Sequence, residues 1–470
     1  MRMTKIVATL GPATDSLSMI KRLIKAGMNV ARLNLSHGSF KQQEERINLV
    51  KEARKELGVP VAILLDTRGP EVRIDKFEKS PIYLNEGDQF TLTTDEILGN
   101  QKKVSITYKL LPNVVEEGSI ILANDGLIEF EVISVTKKDI VCVVKAGGEL
   151  SDRKSLNLPD VKINMPYVSP YDKEGFLFGI AQEADYFALS FVRDVDDVLE
   201  VRELLDKNGG EKIQLISKIE NREGVDNFAK IIKVCDGAMV ARGDLGVEIP
   251  FEEIPKIQKD MIKTCVSEGK KVITATQMLE SMIHSKRPTR AEISDVANAI
   301  YDGTSAIMLS GETAAGKYPI EAVKTMDKIA LETEANIDYK KQFSGVDPVI
   351  NNVADAVSHA TVMSAFDLAA SAIIAVSQTG STVRKISRFR PSCPILGLTA
   401  STSAYYQLCL NWGVMPMLTT EHSSSDELFK ASMQAGLDSG LCKKGSLAII
   451  AAGISVGESG KTNVMRIENL

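Results

Sequence analysis

Short apolar runs alternate with stretches of helical periodicity, and this alternation constrains the fold more than any other feature of the 470-residue chain. Helical patterns at residues 16–26 and 40–57 separate the first runs. The eight runs lie at residues 6–10, 30–35, 61–65, 186–191, 213–219, 237–241, 272–275 and 306–309. Eight parallel strands with intervening helices predict an α/β fold, the (β/α)8 TIM barrel, with its functional site at the carboxyl ends of the strands.

Polar side chains follow all eight runs, whereas the starts of the runs are apolar or basic. The carboxyl ends of parallel barrel strands meet at one rim, so these side chains should converge on one mouth. Solvated loop residues are the alternative interpretation. The polar residues at the run ends are Thr9, Arg32, Asn34, Ser36, His37, Asp66, Thr67, Ser190, Lys218, Glu220, Arg242, Asp244, Thr274, Thr276, Ser310 and Glu312.

The stretch at residues 213–250 carries the strongest indication of chemistry. Lys218 and Glu220 end one run, and Asp244 follows the next run, 24 residues after Glu220. That interval fits one strand, one helix and two loops, which would place the two acids above adjacent strands. Two carboxylates with open positions between them favour Mg²⁺ or Mn²⁺. Gly243 would let a ligand approach the backbone, and a pair of solvated loop acids remains the alternative.

Residues 70–168 interrupt the alternation with short alternating segments and turn residues, which predict an inserted all-β domain. The barrel then comprises residues 1–69 and 169–345. The aperiodic polar segment at 336–348 is typical of a linker. Residues 346–470 resume the alternation of helices and strands and predict a C-terminal domain with an open α/β sheet.

A hydroxyl-rich loop at residues 377–382 opens a helix in this last domain. Backbone amides and the positive end of a helix dipole are able to hold a phosphate there. An N-capped helix with no ligand fits the same residues equally well. The basic residues Arg384, Lys385 and Arg388 would serve a bound anion or form a solvated face.

Composition restricts the partners. The net charge is −6 and no long basic block occurs, which argues against nucleic acid or a membrane surface as the main partner. No signal-type segment or run of eighteen apolar residues is found, so we expect a cytoplasmic protein. The six cysteines form no C-x-x-C motif and only four histidines occur, which disfavours zinc sites and disulfides.

Several longer motifs together resemble the pyruvate kinase family. They are MNVARLNLSHG at 28–38, LLDTRGPEVR at 64–73, SKIENREG at 217–224, MVARGDLGVE at 239–248, TATQMLESM at 274–282 and the segment at 287–319. The resemblance extends along the whole chain in the family's order. It implies a TIM barrel with a β-barrel cap and a C-terminal regulatory domain. It also implies phosphoryl transfer from phosphoenolpyruvate to ADP, the last step of glycolysis, with Mg²⁺ (or Mn²⁺) and K⁺.

The same resemblance implies roles for individual residues. Glu220 and Asp244 match the magnesium ligands, Lys218 and Arg32 match groups that hold the phosphoryl group, and the amides at Gly243 and Asp244, just ahead of a helical start, match the site of the substrate carboxylate. A further substrate contact and catalytic position is matched by Thr276. The nucleotide contacts are matched by Asn34, His37, Arg73 and Lys154. The potassium ligands are matched by Asn34, Ser36, Asp66 and the carbonyl of Thr67.

Regulation and assembly are likewise implied only by the resemblance. A phosphorylated metabolite is expected at the effector loop, and four chains are expected to form a homotetramer. The residues that match the effector loop are Ser377, Thr379, Gly380, Ser381 and Thr382. Glu71 stands where relatives that work without potassium carry lysine, so a need for K⁺ is expected.

Some questions stay open from the sequence. No obvious general acid for the enolate is present, and the resemblance points to ordered water near Thr276, Ser310 and Glu312. A lyase or aldolase that forms a magnesium-bound enolate is one rival, although it gives the inserted domain no task. A metabolite sensor on a decayed enzyme scaffold is another, although Lys218, Glu220 and Asp244 are all retained.

Overall fold

The computed structural model describes residues 1–159, 161–344, 350–421, 424–453 and 462–470. The first part of the chain forms three strands and two helices, in which Ser16 and Ser39 cap the helices by accepting hydrogen bonds from backbone amides. In chain order they are β1 (Lys5–Thr9), α1 (Leu17–Ala26), β2 (Val30–Asn34), α2 (Phe40–Leu57) and β3 (Ala62–Asp66).

The inserted segment is all-β apart from a short 3-10 turn at Leu111–Asn113. Its strands are β4 (Val72–Arg73), β5 (Ile82–Leu84), β6 (Gln89–Thr93), β7 (Lys103–Ser105), β8 (Ile120–Ala123), β9 (Ile128–Val135), β10 (Asp139–Ala146), β11 (Gly148–Leu150) and β12 (Ser155–Asn157). Seven of them form one sheet in the order β4-β12-β8-β9-β10-β6-β7, and β11 pairs with β5. The two edges of the sheet meet through a bridge between Ile74 and Ile106, which rolls it around one apolar core. We call this domain the cap.

After the cap the chain completes the barrel. The elements are α3 (Pro170–Ala181), β13 (Tyr186–Leu189), α4 (Val195–Lys207), β14 (Gln214–Ile219), α5 (Arg222–Val234), β15 (Gly237–Ala241), α6 (Arg242–Glu248), α7 (Ile254–Ser267), β16 (Lys271–Ala275), α8 (Arg290–Tyr301), β17 (Ala306–Leu309), α9 (Gly311–Ala314) and α10 (Pro319–Ala335). The strands close in the order β1-β17-β16-β15-β14-β13-β3-β2, with every neighbouring pair parallel. The predicted (β/α)8 barrel is therefore confirmed.

The remaining chain forms a second α/β unit. Its elements are α11 (Tyr339–Ser344), α12 (Val353–Asp367), β18 (Ala372–Val376), α13 (Ser381–Ser387), β19 (Ile395–Thr399), α14 (Thr402–Gln407), β20 (Val414–Leu418), α15 (Ser425–Asp438), β21 (Leu447–Ala452) and β22 (Val464–Asn469). The sheet order is β20-β19-β18-β21-β22, and β22 alone is antiparallel. This is the open α/β sheet predicted from the alternation of helices and strands.

Two local predictions were wrong. The segment predicted as an aperiodic linker contains α11, whose six residues are too few to show a period; its Phe343 stacks on His359 at 4.9 Å and its Tyr339 lies 5.5 Å from Trp412. The helix expected to start after Asp244 instead begins at Arg242. The domain divisions at 69/70 and 168/169 stay predictions, and the division at 345/346 lies outside the described residues.

The C-terminal domain packs against the floor of the barrel, opposite the predicted mouth. Leu410 and Cys409 belong to the same apolar cluster as the barrel residues Ile216 and Met239. The buried Lys5 donates from Nζ to the carbonyl of Val414 at 2.6 Å. Burial, together with nearby Arg2, lowers the pKa of Lys5 to about 8.

All six cysteines lie buried as free thiols, as the absence of a C-x-x-C motif suggested. Within the described ranges, none of the helices combines the length and apolarity that crossing a bilayer requires.

Gly179 in α3 marks a place where the barrel tolerates no side chain. A Cβ at this position would overlap the ring of Phe187 and approach Leu65 Cδ1 to 2.9 Å. We expect Gly179→Ala to lower the apparent melting temperature, because overpacking costs about 1–3 kcal/mol while the gain in helix propensity returns only about 1 kcal/mol. Scanning calorimetry measures this melting temperature.

Gly246→Ala is the matched control, since Gly246 also lies in a helix and its added Cβ would meet nothing within 4 Å. Its melting temperature should stay level or rise. A Gly179→Ala protein that melts no earlier than the Gly246→Ala protein would contradict the packing described here.

Candidate functional site

Lys218 occupies the centre of the polar rim at the carboxyl ends of the barrel strands. Its Nζ lies 3.0 Å from Asp66 Oδ1 and 2.9 Å from Glu220 Oε1, and it donates to Ser190 Oγ at 2.6 Å. These four residues end or follow β14, β3 and β13, which are neighbours in the barrel. Polar groups from three of the eight strands therefore meet around one buried ammonium group.

Lys218 and Asp66 stabilise each other's ionised forms. Burial disfavours the ammonium of Lys218, but the carboxylates of Asp66, Glu220 and Asp244 outweigh burial and raise its pKa. Burial likewise disfavours the carboxylate of Asp66, yet Arg32 and Lys218 together hold its pKa below the usual value. Lys218 and Asp66 are therefore both ionised at neutral pH, in a region that is almost closed to solvent.

Arg32 extends the positive charge of the mouth along the rim. Its Nε donates to Asp66 Oδ2 at 2.7 Å, and its Nη1 donates to Thr9 Oγ1 at 2.9 Å. The side chain is only 8% exposed, so its guanidinium is fixed in orientation before any ligand arrives. A fixed fork of this kind suits the oxygens of a phosphoryl group.

Glu220 is positioned by the backbone of the neighbouring strand end. The amide of Phe191 donates to Glu220 Oε2 at 2.7 Å, and Phe191 has a φ of 55°, the left-handed region that a bulky residue seldom adopts. Burial, opposed by Lys218 and reinforced by Asp244, raises the pKa of Glu220. The positive charge near Glu220 is therefore too small to offset the effect of burial on its carboxylate.

This deficit of positive charge near Glu220 would be met by a bound divalent cation. Glu220 and Asp244 interact electrostatically and stand above the paired strands β14 and β15, as predicted. Across the described ranges, no group of three or more His, Cys, Asp or Glu side chains is arranged to hold a metal. A cation bound by two carboxylates alone keeps positions for water and for substrate oxygens, as Mg²⁺ usually does.

Helix α6 presents Gly243 and Asp244 in its first turn. The amide of Gly243 donates to Thr276 Oγ1 at 2.8 Å, and Thr276 has a φ of 65° at the end of β16. Arg242 ties the helix to β16 by donating to the carbonyl of Thr276 at 2.7 Å, and it also pairs with Asp295 at 2.7 Å. Three of the predicted substrate-binding residues, Gly243, Asp244 and Thr276, thus lie together at the start of α6 and the end of β16.

The predicted potassium ligands also lie together. Asn34 and Asp66 are register partners on β2 and β3, and Asn34 Oδ1 accepts from the amide of Ser36 at 2.9 Å. The carbonyl of Thr67 accepts from Ser190 Oγ at 2.7 Å. Oxygen donors of this kind suit a hard cation.

The predicted nucleotide contacts are divided between the cap, with Arg73 and Lys154, and the barrel rim, with Asn34 and His37. Arg73 on β4 donates to Glu71 Oε2 at 2.8 Å and 2.6 Å, and Lys154 directly precedes β12, in which Ser155 pairs with Arg73. His37 is exposed near the same rim. Partial desolvation, together with positive charges including that of Arg73, lowers the pKa of His37, which favours its neutral form.

Glu71 interacts both with Arg73 of the cap and with Lys218 of the mouth. Burial raises its pKa, while Arg73 and Lys218 act in the opposite direction. The Glu71 carboxylate is therefore close enough to the mouth to interact electrostatically with Lys218. It contributes no positive charge to this region.

The predicted water site lies at the end of β17. Glu312 accepts from the amides of Leu279 at 3.0 Å and Ser310 at 2.7 Å, and burial raises its pKa. The hydroxyl of Ser310 is buried without a protein partner. A buried hydroxyl in this state needs a water or ligand partner.

The predicted effector loop belongs to the C-terminal sheet and not to the mouth. Gly380 has a φ of 76° and precedes α13, and Arg384 Nη1 donates to the carbonyl of Thr379 at 2.9 Å. Thr379 is exposed, whereas Ser377 and Thr382 are buried. Ser381 is the first residue of α13 and lies half-buried.

Sequence reasoning gave no role to three groups that shape the mouth. Ser190 was noted only as a strand-end hydroxyl, although it binds Lys218; the Phe191 amide and Asp295 were not singled out. A serine after the fourth strand was a usable signal. A backbone amide donor cannot be recognised from a side-chain pattern. Asp295 lies in the middle of α8 and not at a strand end, where functional residues were expected.

Comparisons with known proteins show which family the chain resembles over its length. The family model described as "Pyruvate kinase, barrel domain" matches residues 1–323, and "Pyruvate kinase, alpha/beta domain" matches residues 355–468. The chain is 47% identical to a pyruvate kinase of Clostridium acetobutylicum over 472 residues, which is 100% of this chain and 99% of the relative. It is 46% identical over 474 residues to that of Clostridium perfringens, with both chains fully covered. A pyruvate kinase of Bacillus licheniformis is 47% identical over 470 residues, covering 99% of this chain and 80% of the relative.

Proposed function

The chain belongs to the pyruvate kinase family, and we propose that the groups around Lys218 carry out its transfer of a phosphoryl group from phosphoenolpyruvate to ADP. The observation that carries this assignment of residues is the buried contact of Lys218 with Asp66 and Glu220. The resulting ammonium is fixed and charged at the place where the mouth needs positive charge. In phosphoryl transfer the protein mainly positions reactants and neutralises the charge that spreads over the moving group.

Lys218 and Arg32 would hold the phosphoryl oxygens from two sides. Each is kept in place by a bond to Asp66, so neither needs to reorganise when the substrate enters. The amides of Gly243 and Asp244, at the start of α6, would bind the substrate carboxylate, and Thr276 would contribute a further contact. The hydroxyl of Ser310 would order the water that protonates the enolate.

Glu220 and Asp244 would hold Mg²⁺ or Mn²⁺. When bound, the ion supplies charge stabilisation for the enolate oxygen. The Phe191 amide keeps one Glu220 oxygen in place, and the other Glu220 oxygen contacts Lys218. The oxygens of Asn34, Ser36, Asp66 and Thr67 would hold K⁺.

The cap would supply the nucleotide side of the reaction. Arg73 and Lys154 would contact the phosphates of ADP, and His37 and Asn34 would contribute from the barrel rim. Closure of the cap over the mouth would exclude water, which competes with ADP as acceptor. A homotetramer remains a prediction from the family, and a cytoplasmic location remains a prediction from the sequence.

The test is product analysis with phosphoenolpyruvate and ADP. We expect pyruvate and ATP in equal amounts, and we expect both to be lost when divalent cations are removed with a chelator. Release of pyruvate and inorganic phosphate without ATP would contradict the assignment of the acceptor.

Lys218→Met should reduce kcat much more than it raises KM for phosphoenolpyruvate. Removing one fixed donor to a developing charge typically costs about 100- to 1000-fold in kcat. Lys207→Met, which removes a lysine side chain that is 69% exposed on α4, is the control and should leave kcat unchanged. A Lys218→Met enzyme with normal kcat and raised KM would refute the role.

Potassium dependence follows from Glu71. In tetramethylammonium salts at constant ionic strength, activity should be low and should rise when KCl is added, because the mouth lacks one monovalent positive charge. Glu71→Lys should lessen this dependence, whereas Glu71→Gln, which adds no positive charge, should keep it. Because Glu71 pairs with Arg73, the lysine variant should also lose part of its maximal rate. Full wild-type activity without K⁺ would refute the assignment.

The effector loop gives a separate prediction. A phosphorylated metabolite bound at residues 377–382 should shift the half-saturating phosphoenolpyruvate concentration by about 5- to 100-fold, the usual range of allosteric coupling. Thr379→Glu places a carboxylate where the phosphate would sit and should abolish that shift. Thr379→Ser is the control that keeps the hydroxyl. If the Glu variant responds to metabolites as wild type does, this loop is not the effector site.

A further inference from the structure

The cap contacts helix α6 at the end opposite the substrate site. Asn157, the last residue of β12, donates from Nδ2 to Glu248 Oε1 at 2.9 Å, and Glu248 is the last residue of α6. The turn between β8 and β9 lies beside the same helix end, since a Cβ on Gly126 would sit 3.5 Å from Val247. Two separate parts of the cap therefore touch the last turn of α6.

Helix α6 is short enough to transmit a displacement as one body. Its seven residues span about 10 Å at 1.5 Å per residue. Gly243 and Asp244 lie in its first turn, and the Gly243 amide is bound to Thr276 Oγ1. A shift of the Glu248 end would therefore move the groups proposed to bind the metal and the substrate carboxylate.

Strand β12 connects this contact to the nucleotide side of the cap. Ser155 in β12 pairs with Arg73 in β4, and Lys154 directly precedes β12. Asn157 lies two residues beyond Ser155 on the same strand, and it is only 8% exposed. Whatever moves Arg73 and Lys154 toward a nucleotide also moves Asn157 relative to the barrel.

The covalent connections of the cap are fixed to the barrel elsewhere. Arg193 donates to the carbonyls of Ile163 and Met165 at 3.0 Å each, which anchors the return connection. The outgoing connection is packed so closely at Gly69 that a Cβ there would lie 2.6 Å from the carbonyl oxygen of Ser190. Movement of the cap about these anchors changes the contact between Asn157 and Glu248.

A cavity of about 290 Å³ lies beside this contact, and Asn157 and Glu248 are part of its lining. The charged groups facing the cavity include Lys162, which pairs with Glu223 at 3.4 Å, and Arg193, which pairs with Asp197 at 2.7 Å. Residues of both the cap and the barrel line this cavity, so the two domains are not in full contact beside the bond between Asn157 and Glu248.

We propose that the hydrogen bond between Asn157 and Glu248 couples nucleotide binding by the cap to phosphoenolpyruvate binding at α6, with both residues acting as positioning residues. The proposal rests on the site assigned under the proposed function. Nucleotide binding that closes the cap sets α6 through this bond, so ADP raises the affinity for phosphoenolpyruvate. Neither side chain touches the reacting atoms.

The experiment compares KM for phosphoenolpyruvate at low and at saturating ADP in wild type and variants. We expect wild type to show a decrease of about five-fold or more, within the usual range of coupling between sites. Asn157→Asp sets a carboxylate against Glu248 and should reduce the decrease to less than about two-fold, and Asn157→Ala should act in the same direction. Loss of stability alone would not remove the dependence on ADP.

Two control variants test the mechanism of the coupling. Glu248→Gln keeps an acceptor oxygen for Asn157 and should retain most of the coupling. Lys162→Ala removes a different contact near the cap connection. The Lys162 side chain is 84% exposed and pairs with Glu223 on α5, so this variant should retain all of the coupling.

Wild type without coupling, or equal coupling in wild type and both Asn157 variants, would overturn the proposal. An equal loss in Lys162→Ala would overturn it too, because the effect would then not pass through α6. These results differ from failure of the proposed function, in which wild type forms no ATP from phosphoenolpyruvate and ADP under any condition.

Discussion

The buried contact of the Lys218 ammonium with the carboxylates of Asp66 and Glu220 is the interaction on which the rest of the mouth depends. Charges this far from water are tolerated only when they are paired and hydrogen-bonded. Ser190 and the Phe191 amide, which follow β13, and Arg32 on β2 supply the additional bonds. The barrel therefore has to close in one register for this cluster to be neutralised, which links the fold directly to the chemistry.

The two other domains attach to opposite ends of this barrel. The C-terminal domain closes the floor with apolar contacts from Leu410 and the bond from Lys5 to Val414. The cap stands over the mouth and reaches the substrate-binding helix α6 through Asn157. The barrel thus supplies fixed groups, and the cap supplies the part that has to move for a nucleotide to enter and water to leave.

The sequence predicted the barrel because each strand is an apolar run followed by polar residues, and parallel strands place those residues on one rim. It also placed Glu220 and Asp244 above neighbouring strands, because the interval between them leaves room for only one helix. It did not predict α11, whose six residues are held by contacts of Phe343 and Tyr339 with the C-terminal domain. The sequence also did not predict that the Phe191 amide positions Glu220. Almost every residue has an amide donor, and the left-handed backbone conformation of Phe191 is not visible in the sequence.

Direct binding of Mn²⁺ tests the central claim, which is that the charge balance around Lys218 is completed by a divalent cation on Glu220 and Asp244. Titration followed by electron paramagnetic resonance, with no substrate turnover, should show one site per chain in wild type. Glu220→Gln and Asp244→Asn should each weaken it by about ten-fold or more, because each removes one of two charged ligands. Glu223→Gln, which likewise replaces a glutamate by glutamine but lies on α5, should leave the Mn²⁺ affinity unchanged. Unchanged Mn²⁺ affinity in both ligand variants would contradict the account.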